Sequence, residues 1–243
     1  MKILAKEWKI SNKDALIIAD IQVDFLPGGA LPVKEGDQTI PALNEYAKIF
    51  MQANAKIIAS RDWHPSNHIS FKAQGGQWPP HCIQDTEGAK FDPGLKIPAG
   101  TLVVSKATNP EKEAYSVFDG TDLAETLKSK GVTRVFVGGL ATDYCVVNTI
   151  LDARKLGLDA VVLMDATRGI NVELGDVDRA IRTMMKSGAE QAILTDFPEP
   201  EGLNGEENLA EVVGDKPLSK VDVKKTARMR SKGAYKRLRR ERG

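Results

Sequence analysis

Six short apolar runs punctuate the chain: Ala15 to Ala19, Lys56 to Ser60, Thr101 to Ser105, Arg134 to Gly138, Ala160 to Met164 and Gln191 to Thr195. They are rich in Val, Ile and Leu and continuous rather than alternating, the pattern of strands covered on both faces. Between them lie stretches of helical period. Pro41 to Asn54 places Leu43, Ala47 and Phe50 on one face, Asp122 to Lys130 does the same with Leu123 and Leu127, and Asp143 to Leu156 and Val177 to Ser187 follow. Gly131, Gly157 and Gly188 stand after the last three as stop signals. This alternation predicts an α/β fold, a three-layer sandwich with a mainly parallel six-stranded sheet flanked by helices.

One stretch breaks the rhythm. Trp63 to Gly100 is a loop-rich excursion punctuated by Gly75, Gly76, Pro79, Pro80, Pro93 and Pro98, and long connections of this kind inside compact domains are usually functional. The three histidines of the chain all fall within the 22 residues from Arg61 to Cys82. Neutral imidazoles with a carboxylate form a common ligand set for a zinc-like or iron-like ion, and Asp62-x-His64 points two donors the same way from one extended segment. Asp62, His64, His68 and His81 are therefore candidate metal ligands. The alternative is a polar loop whose histidines only hydrogen-bond.

Composition narrows the picture further. No run of about 18 apolar residues exists and the N-terminus lacks a continuous apolar core, so a membrane span and a signal peptide are not expected and a cytoplasmic location is. Two cysteines, Cys82 and Cys145, are too few for a disulfide framework. The net charge of +1 hides an asymmetry, because Lys216 to Gly243 carries twelve Lys/Arg against two acids and leaves the rest with 22 bases against 31 acids. The expected organisation is one domain over 1–197, an acidic Pro/Gly-punctuated linker over 198–215 and a basic tail over 216–243. Such a tail is expected to be solvated, with a polyanion or an acidic protein surface as the partner it would suit.

The ends of the predicted strands carry the reactive groups. The first runs into Asp20, the second into Asp62 and His64, the third into Lys106 and the fourth into GGLATDYC with Cys145. In an open parallel sheet the crevice lies outside the carboxyl ends of the strands, so these groups converge. Thr142 or Asp143 is the expected N-cap of the following helix, which puts Cys145 in a first turn whose positive end lowers a thiol pKa. Gly138 and Gly139 permit a sharp turn there, with amides near a developing oxyanion. Beside a thiol, Asp20 fits a proton acceptor and Lys106 a cation that holds it. Cys82 has no helix start after it and reads as structural.

The segments ADIQVDFLPGGAL, SRDWHPSNHISF, QWPPHC, VSKAT, YSVFDGT and GGLATDYCVVNT resemble the nicotinamidase/pyrazinamidase group of the isochorismatase-like cysteine hydrolases, over about Ala15 to Phe197. The resemblance implies a catalytic triad of Asp20, Lys106 and Cys145. It implies metal ligation by Asp62, His64 and His81, with His68 at a position that supplies a further ligand in some relatives. It also implies an oxyanion hole from the amides of Ala141 and Cys145 with a cis peptide before Ala141, and a ring pocket made by Phe25, Trp78 and Tyr115. The implied reaction is hydrolysis of nicotinamide to nicotinate and ammonia, and of pyrazinamide, through a thioester on Cys145. The implied cofactor is one divalent ion, zinc first and iron or manganese as alternatives, and self-association is left open. Two other readings stand beside it: a different carboxamide or carbamoyl hydrolase of the same superfamily, and a binding protein that acts through its basic tail.

Overall fold

The computed structural model describes residues 7–198. The expected linker and basic tail, beyond Pro198, lie outside the described residues. Six strands form one sheet: β1 (Asp14–Ala19), β2 (Lys56–Asp62), β3 (Leu102–Lys106), β4 (Arg134–Leu140), β5 (Asp159–Arg168) and β6 (Glu190–Ala192). The order is β3-β2-β1-β4-β5-β6 and every pairing is parallel, so the sheet is entirely rather than mainly parallel.

Successive residues of β1 feed opposite faces. Leu16 and Ile18 pack with Leu43, Tyr46 and Phe50 of α1 (Thr39–Gln52). Ala15, Ile17 and Ala19 pack on the other face with Leu127 of α2 (Leu123–Ser129), Ile150 of α3 (Val147–Lys155) and Met184 of α4 (Asp176–Lys186). Both faces are thereby covered, which is why the strands read as unbroken apolar runs. Among the described residues no helix is long and apolar enough to cross a membrane.

Several boundaries differ from the sequence expectation by a residue or two, and three larger differences have a tertiary reason. β5 continues through the polar Asp165 to Arg168, because Asp165 accepts from Tyr46 Oη at 2.8 Å and from the Leu194 amide at 2.8 Å, and Thr167 Oγ1 donates to the Gly139 carbonyl at 2.8 Å. β6 stops at Ala192, because Asp196 captures the Ile193 amide at 2.9 Å and turns the chain. The helix expected from Asp143 is divided: Thr142–Val146 form a π-helical turn, and α3 starts at Val147. Wide turns of this type are concentrated at functional sites.

Sheet order reverses at β1, which has β2 on one side and β4 on the other. The crevice at such a switch point is where α/β proteins bind ligands. Gly139 makes the approach of β4 to β1 possible, since it sits at φ +115° and a Cβ there would lie 2.1 Å from the Ala19 carbonyl oxygen. Gly139→Ala is expected to destabilise the fold by on the order of 3 kcal/mol in urea unfolding. An unchanged unfolding midpoint would show that β1 and β4 yield at no cost.

Candidate active site

Local structure places the groups at the carboxyl edge. Asp20 follows β1 at φ +52°, fully buried. Asp62 and Lys106 end β2 and β3 as register partners, so both point to the same side of the sheet. Cys145 sits in the π turn after β4.

Lys106 is the hub. Its Nζ lies 3.0 Å from Asp20 Oδ2 and 3.3 Å from Cys145 Sγ, and it donates to Asp62 Oδ1. A carboxylate oxygen of Asp20 lies within 4.8 Å of Cys145 Sγ. Ser60 Oγ donates to the other oxygen, Asp20 Oδ1, at 2.7 Å, while Oδ2 receives no hydrogen bond of good angle among the described residues.

The environment separates the two carboxyls that share one ammonium. Burial raises the Asp20 pKa against the pull of Lys106, with the Asp62 charge adding to the rise. At Asp62 burial also acts upward, but Lys106, His64 and His81 outweigh it and the pKa is lowered. Asp20 is thus the readier proton acceptor, and Asp62 stays an anion. Burial works against charge on Lys106 too, but Asp20, Asp62 and Cys145 raise its pKa well above the ordinary value.

The thiol departs from expectation. Burial pushes Cys145 well up, opposed by Lys106 and reinforced by Asp20 and Asp62. A first-turn position does not lower it, because two carboxylates and a dry surrounding outweigh the helix end. The N-cap expectation is also corrected. Ala141, in extended conformation, occupies the cap position with no side-chain hydrogen bond. Thr142 Oγ1 is paired with Thr167 Oγ1 at 2.8 Å, and the Asp143 carboxylate accepts from the Ile170 and Asn171 amides at 3.0 and 2.6 Å. The Leu140–Ala141 peptide is cis. Cys82 is buried, its thiol raised by burial and its amide bonded to Asp24 Oδ2 at 2.7 Å.

Asp62, His64 and His81 are buried and each presents a donor atom within 4.8 Å of the others. Their tautomers follow from their partners. His64 Nδ1 faces the His81 carbonyl at 3.0 Å and His81 Nδ1 faces the Pro79 carbonyl at 2.8 Å. A carbonyl only accepts, so each Nδ1 carries the proton, and in the neutral imidazole Nε2 is then the nitrogen with the lone pair. Burial first, then His81, His68 and Lys106, bring His64 down to about 4 against the opposing pull of Asp62, so the imidazole is neutral around pH 7. A carboxylate and two oriented imidazole lone pairs are a donor set that fits a divalent ion.

His68 is sorted differently. It is fully buried, its Nε2 faces the Lys112 carbonyl at 3.1 Å and its Nδ1 faces Ser70 Oγ at 2.7 Å. Nε2 must donate to the carbonyl, which leaves Nδ1 accepting from Ser70. His68 falls into a group with His64 and Glu113 rather than with Asp62 and His81.

One cleft is lined by Cys145 and Ala141, by Asp62, His64 and His81, and by Phe25, Trp78 and Tyr115, whereas Asp20, Lys106 and His68 are not in its lining. Trp78 Nε1 donates to Tyr115 Oη at 3.1 Å. Sequence reasoning missed several members. Glu113, Tyr144, Leu31 and Ile170 also line the cleft, and Tyr144 packs edge-on to Trp78 at 5.0 Å. Gln22, fully buried, donates to the Asp62 and Ala89 carbonyls at 2.8 and 2.9 Å and accepts from the Asp62 amide at 2.7 Å. It ties β2 to the excursion, and nothing local in IADIQVDF distinguishes it.

A buried thiol, carboxylate and ammonium meet at the switch point of a parallel sheet, next to an Asp/His cluster, an arrangement suited to hydrolytic chemistry. The chain belongs to the isochorismatase family, whose domain model matches residues 14–196. It is 38% identical to a nicotinamidase of Escherichia coli over 77% of this chain and 98% of that enzyme. A pyrazinamidase of Pyrococcus horikoshii, solved in complex with zinc, is 50% identical over 74% of this chain and 99% of that one, with a TM-score of 0.71. A protein of L. infantum solved with nicotinate is 36% identical over 79% of this chain and 98% of its own, with a TM-score of 0.73. Within the family the chain is a nicotinamidase-like amidohydrolase.

Proposed function

We propose that this protein hydrolyses nicotinamide to nicotinate and ammonia, with pyrazinamide as a second substrate. The observation that carries the reading is that one cleft is lined both by the Cys145 thiol and by the Asp62, His64 and His81 donors, with aromatic walls from Phe25 and Trp78. A flat ring bearing a lone pair at one side and a carboxamide at the other suits such a cleft. The likeness to nicotinamidases and to a zinc-containing pyrazinamidase supports it.

Asp20 Oδ2 takes the thiol proton, and Lys106 holds both partners in place. Cys145 Sγ attacks the carboxamide carbon as the C=O π pair moves to oxygen, where the Ala141 and Cys145 amides donate to it. Collapse breaks the C–N bond, and Asp20 returns its proton so that nitrogen leaves as ammonia. Water, deprotonated by Asp20, then cleaves the thioester, freeing nicotinate and restoring the thiol. A divalent ion held by Asp62, His64 and His81, zinc foremost, supplies a Lewis-acid anchor for a ring-nitrogen lone pair when bound. Phe25, Trp78 and Tyr115 orient the ring and exclude water.

The test is ammonia release from nicotinamide before and after chelation. Turnover is expected to fall at least about tenfold on metal removal and to return on adding zinc. Equal release from N-carbamoyl compounds, with none from nicotinamide, would favour a carbamoyl hydrolase instead.

A further inference from the structure

His68 is a buried, fully hydrogen-bonded imidazole that the proposed chemistry leaves unused. We infer that it is a positioning residue, a strut that aims the segment carrying Glu113 and Tyr115 at the cleft, and not a fourth metal ligand.

The segment between β3 and α2 enters the cleft without regular structure of its own along 107–121, so its course depends on what holds it. Besides a long bond from Gln77 Nε2 to Tyr115 Oη at 3.5 Å, three shorter bonds reach it from the histidine excursion. The Ile69 amide donates to the Pro110 carbonyl at 2.8 Å, His68 Nε2 donates to the Lys112 carbonyl at 3.1 Å, and Trp78 Nε1 donates to Tyr115 Oη at 3.1 Å. The middle one comes from an imidazole whose other nitrogen is steadied by Ser70 Oγ at 2.7 Å. Directly after Lys112 stands Glu113, whose carboxylate has an oxygen within 4.8 Å of donor nitrogens of both His64 and His68 and lines the same cleft as Cys145. The Ala114 amide fixes that carboxylate at 2.9 Å, and its charge reaches Tyr115, whose pKa is raised by burial first and by Glu113 among the further causes.

The hydrogen-bond partners set His68 apart from His64 and His81. His64 and His81 keep Nε2 lone pairs because backbone carbonyls hold their Nδ1 protons. In His68 both ring nitrogens already have protein partners, the Lys112 carbonyl at Nε2 and the Ser70 hydroxyl at Nδ1. What His68 supplies to the metal side of the cleft is therefore the placement of a second carboxylate, Glu113, near His64.

The nicotinamide kinetics used to test this rest on the proposed reaction, but zinc binding does not. Zinc affinity is measured by chelator competition for the full chain and for His68→Gln, His68→Ala and His81→Ala, alongside nicotinamide kinetics. Glutamine can donate to the Lys112 carbonyl and accept from Ser70, yet it does not replace an imidazole ligand. The expected result is that His68→Gln binds zinc as the parent does, His68→Ala loses at most about tenfold, and His81→Ala loses far more. KM for nicotinamide is expected to rise about tenfold in His68→Ala with kcat little changed, and to return in His68→Gln. A loss of zinc affinity in His68→Gln as large as in His81→Ala overturns the inference. So does a KM unmoved in His68→Ala while the parent turns nicotinamide over. Absence of nicotinamide turnover in the parent defeats the proposed reaction alone, and the zinc comparison still decides between strut and ligand.

Discussion

Cys145→Ala is expected to release ammonia from nicotinamide on the order of 10⁴-fold more slowly than the parent, or not measurably. The reason is local. Sγ lies beside both the carboxylate of Asp20, raised by burial, and the Lys106 ammonium, and alanine removes it without touching either. Lys106 keeps its bonds to Asp20 and Asp62, and none of the Asp62, His64 and His81 donors is altered. Folding cooperativity and zinc content should therefore match the parent. Steady-state ammonia release, urea unfolding and zinc stoichiometry on the same preparation make the check. Turnover within tenfold of the parent would sink thiol chemistry, because no other thiol lines the cleft among the described residues.

Lys106→Met has the second large effect, on stability as well as rate. Lys106 is 1% exposed and neutralises two carboxylates, Asp20 and Asp62, themselves 0% and 5% exposed. Removing one member of a buried charged group leaves uncompensated charge in a dry site, which typically costs about 3 to 5 kcal/mol. Here two anions are left facing each other, so the upper end is expected in urea unfolding near pH 7. Lowering the pH should recover part of the loss, since Asp20, already raised by burial, takes up a proton and removes one charge. Adding Asp20→Asn to Lys106→Met should likewise restore stability without restoring turnover. A single variant as stable as the parent would mean that the ammonium is not the counter-charge of the site.

Much of the architecture was legible locally. The apolar runs located the cores of β1 to β5 and only the end of β6, and Leu43, Ala47 and Phe50 lie buried on α1 as their spacing requires. Asp20, Asp62, Lys106 and Cys145 were found because strand ends are marked by where hydrophobicity stops. Boundaries set by distant partners were not legible: Asp165 and Thr167 read as the end of an element until Tyr46 and Gly139 satisfy them. Gln22 and Glu113 left no signal, since a polar residue in a loop looks the same whether it faces solvent or clamps a wall 40 residues away.

The thiol marks the division most clearly. By itself the sequence determined the α/β order, the convergence of four reactive groups on one edge and the clustering of the histidines, because periodicity and strand ends are properties of neighbouring residues. Only the tertiary structure decided that burial raises the Cys145 thiol, that Asp20 is raised while Asp62 is lowered around one ammonium, and that a backbone carbonyl faces Nδ1 of His64 and of His81 but Nε2 of His68. Charge and proton position depend on burial and on partners tens of residues away, and those exist only once the chain has folded.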